Sequence, residues 1–153
     1  MRSYHRPLAR VMRFSLLAAL LIVGAAHAAE GLSTPAPADA QVYFISPQDG
    51  ATVGERVTVR FGLRGMGVAP AGVEAANTGH HHLLIDDPEV DLSLPLPASA
   101  AVVHFGKGQT EAVVTLPPGT HELQLLLGNH LHVPHTPPVR SETITVQVVA
   151  DPE

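Results

Sequence analysis

From Gln41 onward, apolar and polar residues alternate with a period of two in short runs separated by Gly and Pro. In residues 56–63 (RVTVRFGL), Val57, Val59 and Phe61 oppose Arg56, Thr58 and Arg60. In residues 140–149 (RSETITVQVV), Ile144, Val146 and Val148 oppose Thr143, Thr145 and Gln147. Side chains along a strand point alternately to its two faces, so this pattern predicts strands with one apolar and one wet face. Further runs are 41–46 (QVYFIS), 80–86 (HHHLLID), 101–105 (AVVHF), 110–116 (TEAVVTL) and 120–127 (THELQLLL). Ser46-Pro47-Gln48-Asp49-Gly50 and Leu116-Pro117-Pro118-Gly119 have turn chemistry between runs. No stretch after the leader shows a convincing helical period. The expectation is an all-β domain, a small immunoglobulin-like two-sheet sandwich of about seven strands, with a small barrel as the alternative. Two longer loops, residues 65–79 and the Pro-rich 87–99, flank the histidine run and are candidates for function.

The N-terminus has a different pattern. Arg2, Arg6, Arg10 and Arg13 precede an apolar run from Phe14 to Ala26, followed by Ala26-His27-Ala28. Basic, then apolar, then small residues is the layout of a secretory signal peptide. The run is shorter than the roughly 20 residues a spanning helix needs. An uncleaved anchor is the competing reading. Residues 1–28 are expected to be the signal peptide, cleaved near Ala28, and residues 29–40 a flexible Ala/Pro-rich linker. Residues 41–150 are then the β domain, periplasmic or secreted, with no membrane span in the mature chain.

Composition narrows the chemistry. The 153-residue chain has no Cys and no Trp. Disulfides, thiolate metal sites, a Cys nucleophile and blue-copper ligation are thereby excluded. Downstream of Ala28 lie five Lys/Arg against fourteen Asp/Glu, a net charge of −9, which argues against a nucleic-acid partner. The unusual count is histidine: ten in the whole chain, exceeding the nine Lys and Arg together.

Eight of those histidines fall after the leader, six of them in two groups. On a strand, His80, His82, Leu84 and Asp86 share one face, and His81, Leu83 and Ile85 the other. Leu83 and Ile85 read as core, so His81 points inward with them. His80 and His82 are then about 6.6 Å apart at Cα, close enough for two imidazoles to meet on one ion. The second group, His130, His132 and His135, lies on a segment stiffened by Pro134, Pro137 and Pro138. Neutral imidazole suits Cu(II), Zn(II) and Ni(II). Met66, the one Met after the leader, offers a thioether that would favour Cu(I), or else a hydrophobic plug. His104 and His121 stand alone on strand positions, and His121 shares a face with Leu123 and Leu125 as a core or rim residue. Catalytic readings are weaker: there is no nucleophile elbow, no phosphate cradle and no HExxH, and Asp86, Asp87, Glu89 and Asp91 read as solvated.

GHHHLLID (79–86), HFGKGQTEA (104–112), LPPGTHELQLLLG (116–128) and HVPHTPPVRSETITV (132–146) together resemble a bacterial exported family catalogued as domain of unknown function 4399. The FISPQDGATV opening and the GMGVAPAG loop fit it as well. The resemblance runs from about Val42 to Val148. It implies a small exported β domain whose hallmark includes His80, His81, His82, His104, His132 and His135, and it transfers no activity.

The expected function is a periplasmic His-rich domain that binds copper or zinc for storage, delivery or protection, without turnover. His80, His82, His132 and His135 are the expected ligands. His81, His104, His130, Asp86 and Met66 are further ligands or partners that orient them. Because each ligand must be neutral, affinity is expected to fall between pH 7.5 and 5.5. The alternatives are a non-catalytic envelope interaction or adhesion module, partnered by another envelope protein, and an enzyme with a His-bound metal.

Overall fold

The computed structural model describes residues 31–151, so the expected signal peptide, residues 1–28, lies outside the described residues. Nine strands follow in order: β1 (Gln41–Ser46), β2 (Ala51–Val53), β3 (Arg56–Arg64), β4 (Gly67–Val68), β5 (Thr78–Ile85), β6 (Val102–His104), β7 (Glu111–Thr115), β8 (Gly119–Gly128) and β9 (Ile144–Val148). There is no helix among the described residues, and so none long and apolar enough to cross a membrane. β1, β3 and β7 form one antiparallel sheet. The other runs β2-β9-β8-β5-β4, with β6 also paired to β5. The result is the expected all-β, sandwich-like arrangement of two sheets. The two strands beyond the expected seven, β2 and β4, span three and two residues, too short for alternation to mark them.

The alternation seen in the sequence becomes the inter-sheet core. Val57, Val59 and Phe61 of β3 meet Leu83 and Ile85 of β5, Leu123, Leu125 and Leu127 of β8, and Val146 and Val148 of β9. β5 differs from an ordinary half-wet strand, because every residue from Gly79 to Ile85 is buried. One face packs on the core. The other is covered by the Pro-rich loop, whose Leu96 joins Leu84, Val102 and Leu126, with Val90 and Leu92 at the margin. The histidines of β5 are therefore enclosed on both sides.

The segment expected to be a flexible linker is instead docked where it is described. Thr136 N–H donates to Thr34 O at 3.0 Å, and Ala36 N–H donates to Thr136 O at 3.0 Å. Ser33 Oγ donates to Pro134 O at 2.6 Å. Extended, proline-rich backbone presents free polar groups, and here the 134–136 segment supplies their partners.

Candidate metal centre

β5 turns His80 and His82 to its outer face and His81 to the core, as alternation requires. Antiparallel pairing sets His80 opposite Gly128 of β8, and His82 opposite His104 of β6. After Gly128 the chain folds back in a tight loop. Asn129 organises it: its Oδ1 accepts from Leu131 N–H at 2.9 Å and Val133 N–H at 3.1 Å. Its Nδ2 donates to Leu32 O at 2.8 Å. The reversal places His132 at φ 67°, a left-handed conformation uncommon for a non-glycine residue, and its carbonyl accepts from Leu96 N–H at 2.9 Å. Two adjacent strands and one loop thus deliver four imidazoles to one place.

The ring centroids of His80 lie 4.8 Å from His82, 4.9 Å from His104 and 5.0 Å from His132. His104 is 4.5 Å from His132 and stacks on His82 at 5.0 Å. His82 and His132 are 6.0 Å apart. His80, His104 and His132 each offer a ring nitrogen such that all three lie within 4.8 Å of one another. Among the described residues, neither nitrogen of His80 or His82, nor Nε2 of His104, makes a hydrogen bond of normal geometry. A buried polar atom left unpaired costs about 1–3 kcal/mol, so this concentration needs a physical reason. Two glycines make room for it. A Cβ on Gly128 would meet His82 Cε1 at 2.7 Å, and one on Gly106 would collide with the His104 ring.

Burial, together with neighbouring imidazoles, favours the neutral form of His80, His82 and His104. Burial, then the nearby His104 and His132, lowers the His80 pKa to about 4. Burial, then His80, His104 and His132, lowers that of His82 to about 3. His104 is lowered by the same two causes, burial and then His132. Neutral imidazoles with free lone pairs are what a borderline cation requires. His80 and His82 are fully enclosed, whereas His104 and His132 are partly exposed and face the approach from solvent.

The other candidates lie elsewhere. His135 is buried beside Gly79, with Nδ1 2.9 Å from Thr34 Oγ1 and Nε2 without a partner among the described residues. It stands outside the group of three that the structure brings together. His81 packs on Phe61 at 4.8 Å, and burial lowers its pKa to about 4. His130 lines a separate cleft with Thr34, Glu74 and Asn77. Asp86 is at the far end of β5, where Oδ2 pairs with His121 Nδ1 at 2.9 Å. His121 Nε2 donates to Pro117 O at 2.9 Å, so it is a satisfied rim residue. Met66 packs on the hydrophobic core. The sequence ranks His104 only as a supporting residue, yet it is central to the cluster. The signals that could have raised its rank are its neighbour Gly106 and the pairing of β6 beside β5, and only the second is decisive.

No curated protein matches this chain. A solved structure, the endo-beta-1,4-mannanase from Thermotoga petrophila, is 20% identical, with a TM-score of 0.43 over 74% of this chain. The chain spans 20% of that enzyme's length, and so distant a likeness transfers neither fold nor activity. The family described as Domain of unknown function (DUF4399) matches residues 59–149, a span that holds both histidine groups, and the chain belongs to that family.

Proposed function

We propose that this domain takes up one transition-metal ion, copper or zinc, on His80, His104 and His132 with His82 as the fourth imidazole. The observation that carries the reading is the convergence of four imidazoles, of which His80, His82 and His104 hold buried nitrogens without partners among the described residues. Zn–N bonds of about 2.0–2.1 Å would set ligand nitrogens about 3.3 Å apart, so modest ring rotations must close the present spacing. His135, held by Thr34, lies outside the proposed ligand set. An all-imidazole set without Cys favours Cu(II) or Zn(II), and Met66 takes no part. With the export leader, the use is stoichiometric storage, delivery or protection in the periplasm, without turnover. The test is elemental analysis of protein purified from the periplasm, followed by calorimetry on the wild type and a His80→Ala/His104→Ala variant. Binding of one ion, lost in the double variant, supports the reading. Equal, weak binding in both overturns it.

A further inference from the structure

The outer face of the three-stranded sheet lies away from the histidine cluster and has a character of its own. β3 turns Arg56, Arg60 and Arg64 outward, three of the five Lys and Arg among the described residues. They recur every four residues, about 13 Å apart along the strand. Twelve acids share the described residues with them, yet Glu111 is the one that pairs with this row, through Arg60. Arg64 Nη2 donates to the neutral Gln41 Oε1 at 2.7 Å, and neither Arg56 nor Arg64 is in an ion pair among the described residues. An acidic molecule thus keeps a basic stripe on one sheet face.

An aromatic ring lies within the stripe. Tyr43 of β1 pairs with Gly62, midway between Arg60 and Arg64, and is 45% exposed. A Cβ at Gly62 would collide with the ring of Tyr43, so the ring packs down over the glycine backbone while remaining partly exposed. Val113 of β7, 53% exposed and opposite Thr58, extends the apolar surface between Arg56 and Arg60.

We infer that this face binds an anionic polysaccharide. The electron-rich face of Tyr43 stacks on the C–H-bearing face of a sugar ring. Arg64, about 7 Å from Tyr43 along the strand, and Arg56, about 20 Å away in the other direction, reach carboxylates on separate sugars through their planar donor forks, while Arg60 keeps Glu111. The Tyr43 ring packs down on Gly62 rather than projecting from the sheet, which sets a polysaccharide above a lipid surface. The row of charges matches a linear, repeating polyanion better than a single small anion.

The test uses the full mature protein and alginate, a polyuronate, with dextran as neutral control and phosphatidylglycerol vesicles as the membrane control. Affinity electrophoresis at low and moderate salt reads binding. Alginate should retard the wild type, and dextran should not. Arg56→Gln/Arg64→Gln and Tyr43→Ala should each weaken binding about tenfold or more, while Tyr43→Phe retains it. Thermal unfolding confirms that the variants fold. The inference is overturned by absence of alginate binding at low salt, by binding that Tyr43→Ala leaves unchanged, or by tighter binding to the vesicles than to alginate.

Discussion

His104 shows most plainly what single side chains decide here. It lies 4.5 Å from His132 and stacks on His82, but is itself partly exposed. His104→Ala should therefore weaken Cu(II) or Zn(II) binding about tenfold or more and leave the melting temperature of the metal-free protein nearly unchanged. Calorimetry that finds wild-type affinity would remove His104 from the site. The pH response also belongs to individual residues. His80 and His81 sit at about 4 and His82 at about 3, each through burial first, against about 6.5 in an unfolded chain. Below pH 6.5 the unfolded chain binds protons that the folded rings refuse. The stability these residues supply is thus complete above pH 6.5 and is lost as pH falls toward 4. Metal-free protein should melt at progressively lower temperature from pH 7 to 4.5, and His81→Leu should flatten that slope. A midpoint independent of pH would contradict this account. The same depressed values mean that protons compete at His80 and His82 only below the ordinary imidazole range, so as proposed ligands they would resist acid below the 7.5–5.5 window expected from the sequence. His121 has the opposite sign. Burial pulls it down, but the Asp86 carboxylate and the Pro117 carbonyl outweigh that and raise it. Its contribution is whole below pH 6.5 and fades as pH rises through its folded value.

Strands and loops fix where those residues meet. β8 spans both tasks, because Leu123, Leu125 and Leu127 face the core while Gly128 ends the strand beside the histidine cluster. Leu125 is fully buried, so Leu125→Ala should cost about 3 kcal/mol, lowering the melting temperature on the order of 15 °C without touching the ligands. Gly128→Ala should do the reverse. Its added Cβ meets His82 at 2.7 Å, so metal affinity should drop while the sheet persists, as circular dichroism and calorimetry on the same sample would show. A variant that binds metal normally would mean that His82 can move aside freely. Strands were largely legible in advance: Val57, Val59 and Phe61, or Ile144, Val146 and Val148, announce their face by alternation alone. β2 and β4 were not, because their pairing is imposed by β9 and β5 rather than by local pattern. Nor was the docking of residues 32–36, whose partners Asn129, Pro134, His135 and Thr136 lie about a hundred positions away.

At the scale of the whole molecule, the proposed ion binding would be coupled to folding. The four imidazoles come from β5, β6 and the loop after β8, so an ion held among them ties together segments that separate on unfolding. One ion at a hundred times its dissociation constant should stabilise the fold by about 2.7 kcal/mol. Thermal scans with and without Cu(II) or Zn(II) should show that upward shift, and its absence in His80→Ala/His104→Ala would assign it to this site. The charge arrangement is also a whole-molecule property, since acids predominate overall while one sheet face gathers Arg56, Arg60 and Arg64. The sequence by itself determined the β architecture, the inward and outward faces of each long strand, the absence of thiol chemistry, and two groups of histidines. Those are local facts, set by side-chain type and a two-residue period. Only the tertiary structure decided which imidazoles meet. His104 joins His80, His82 and His132 because β6 pairs beside β5, and His135 turns to Thr34 because the N-terminal segment docks there. The physical reason is that convergence depends on strand order and register, and these are settled by burial across the whole core rather than by any neighbouring residue.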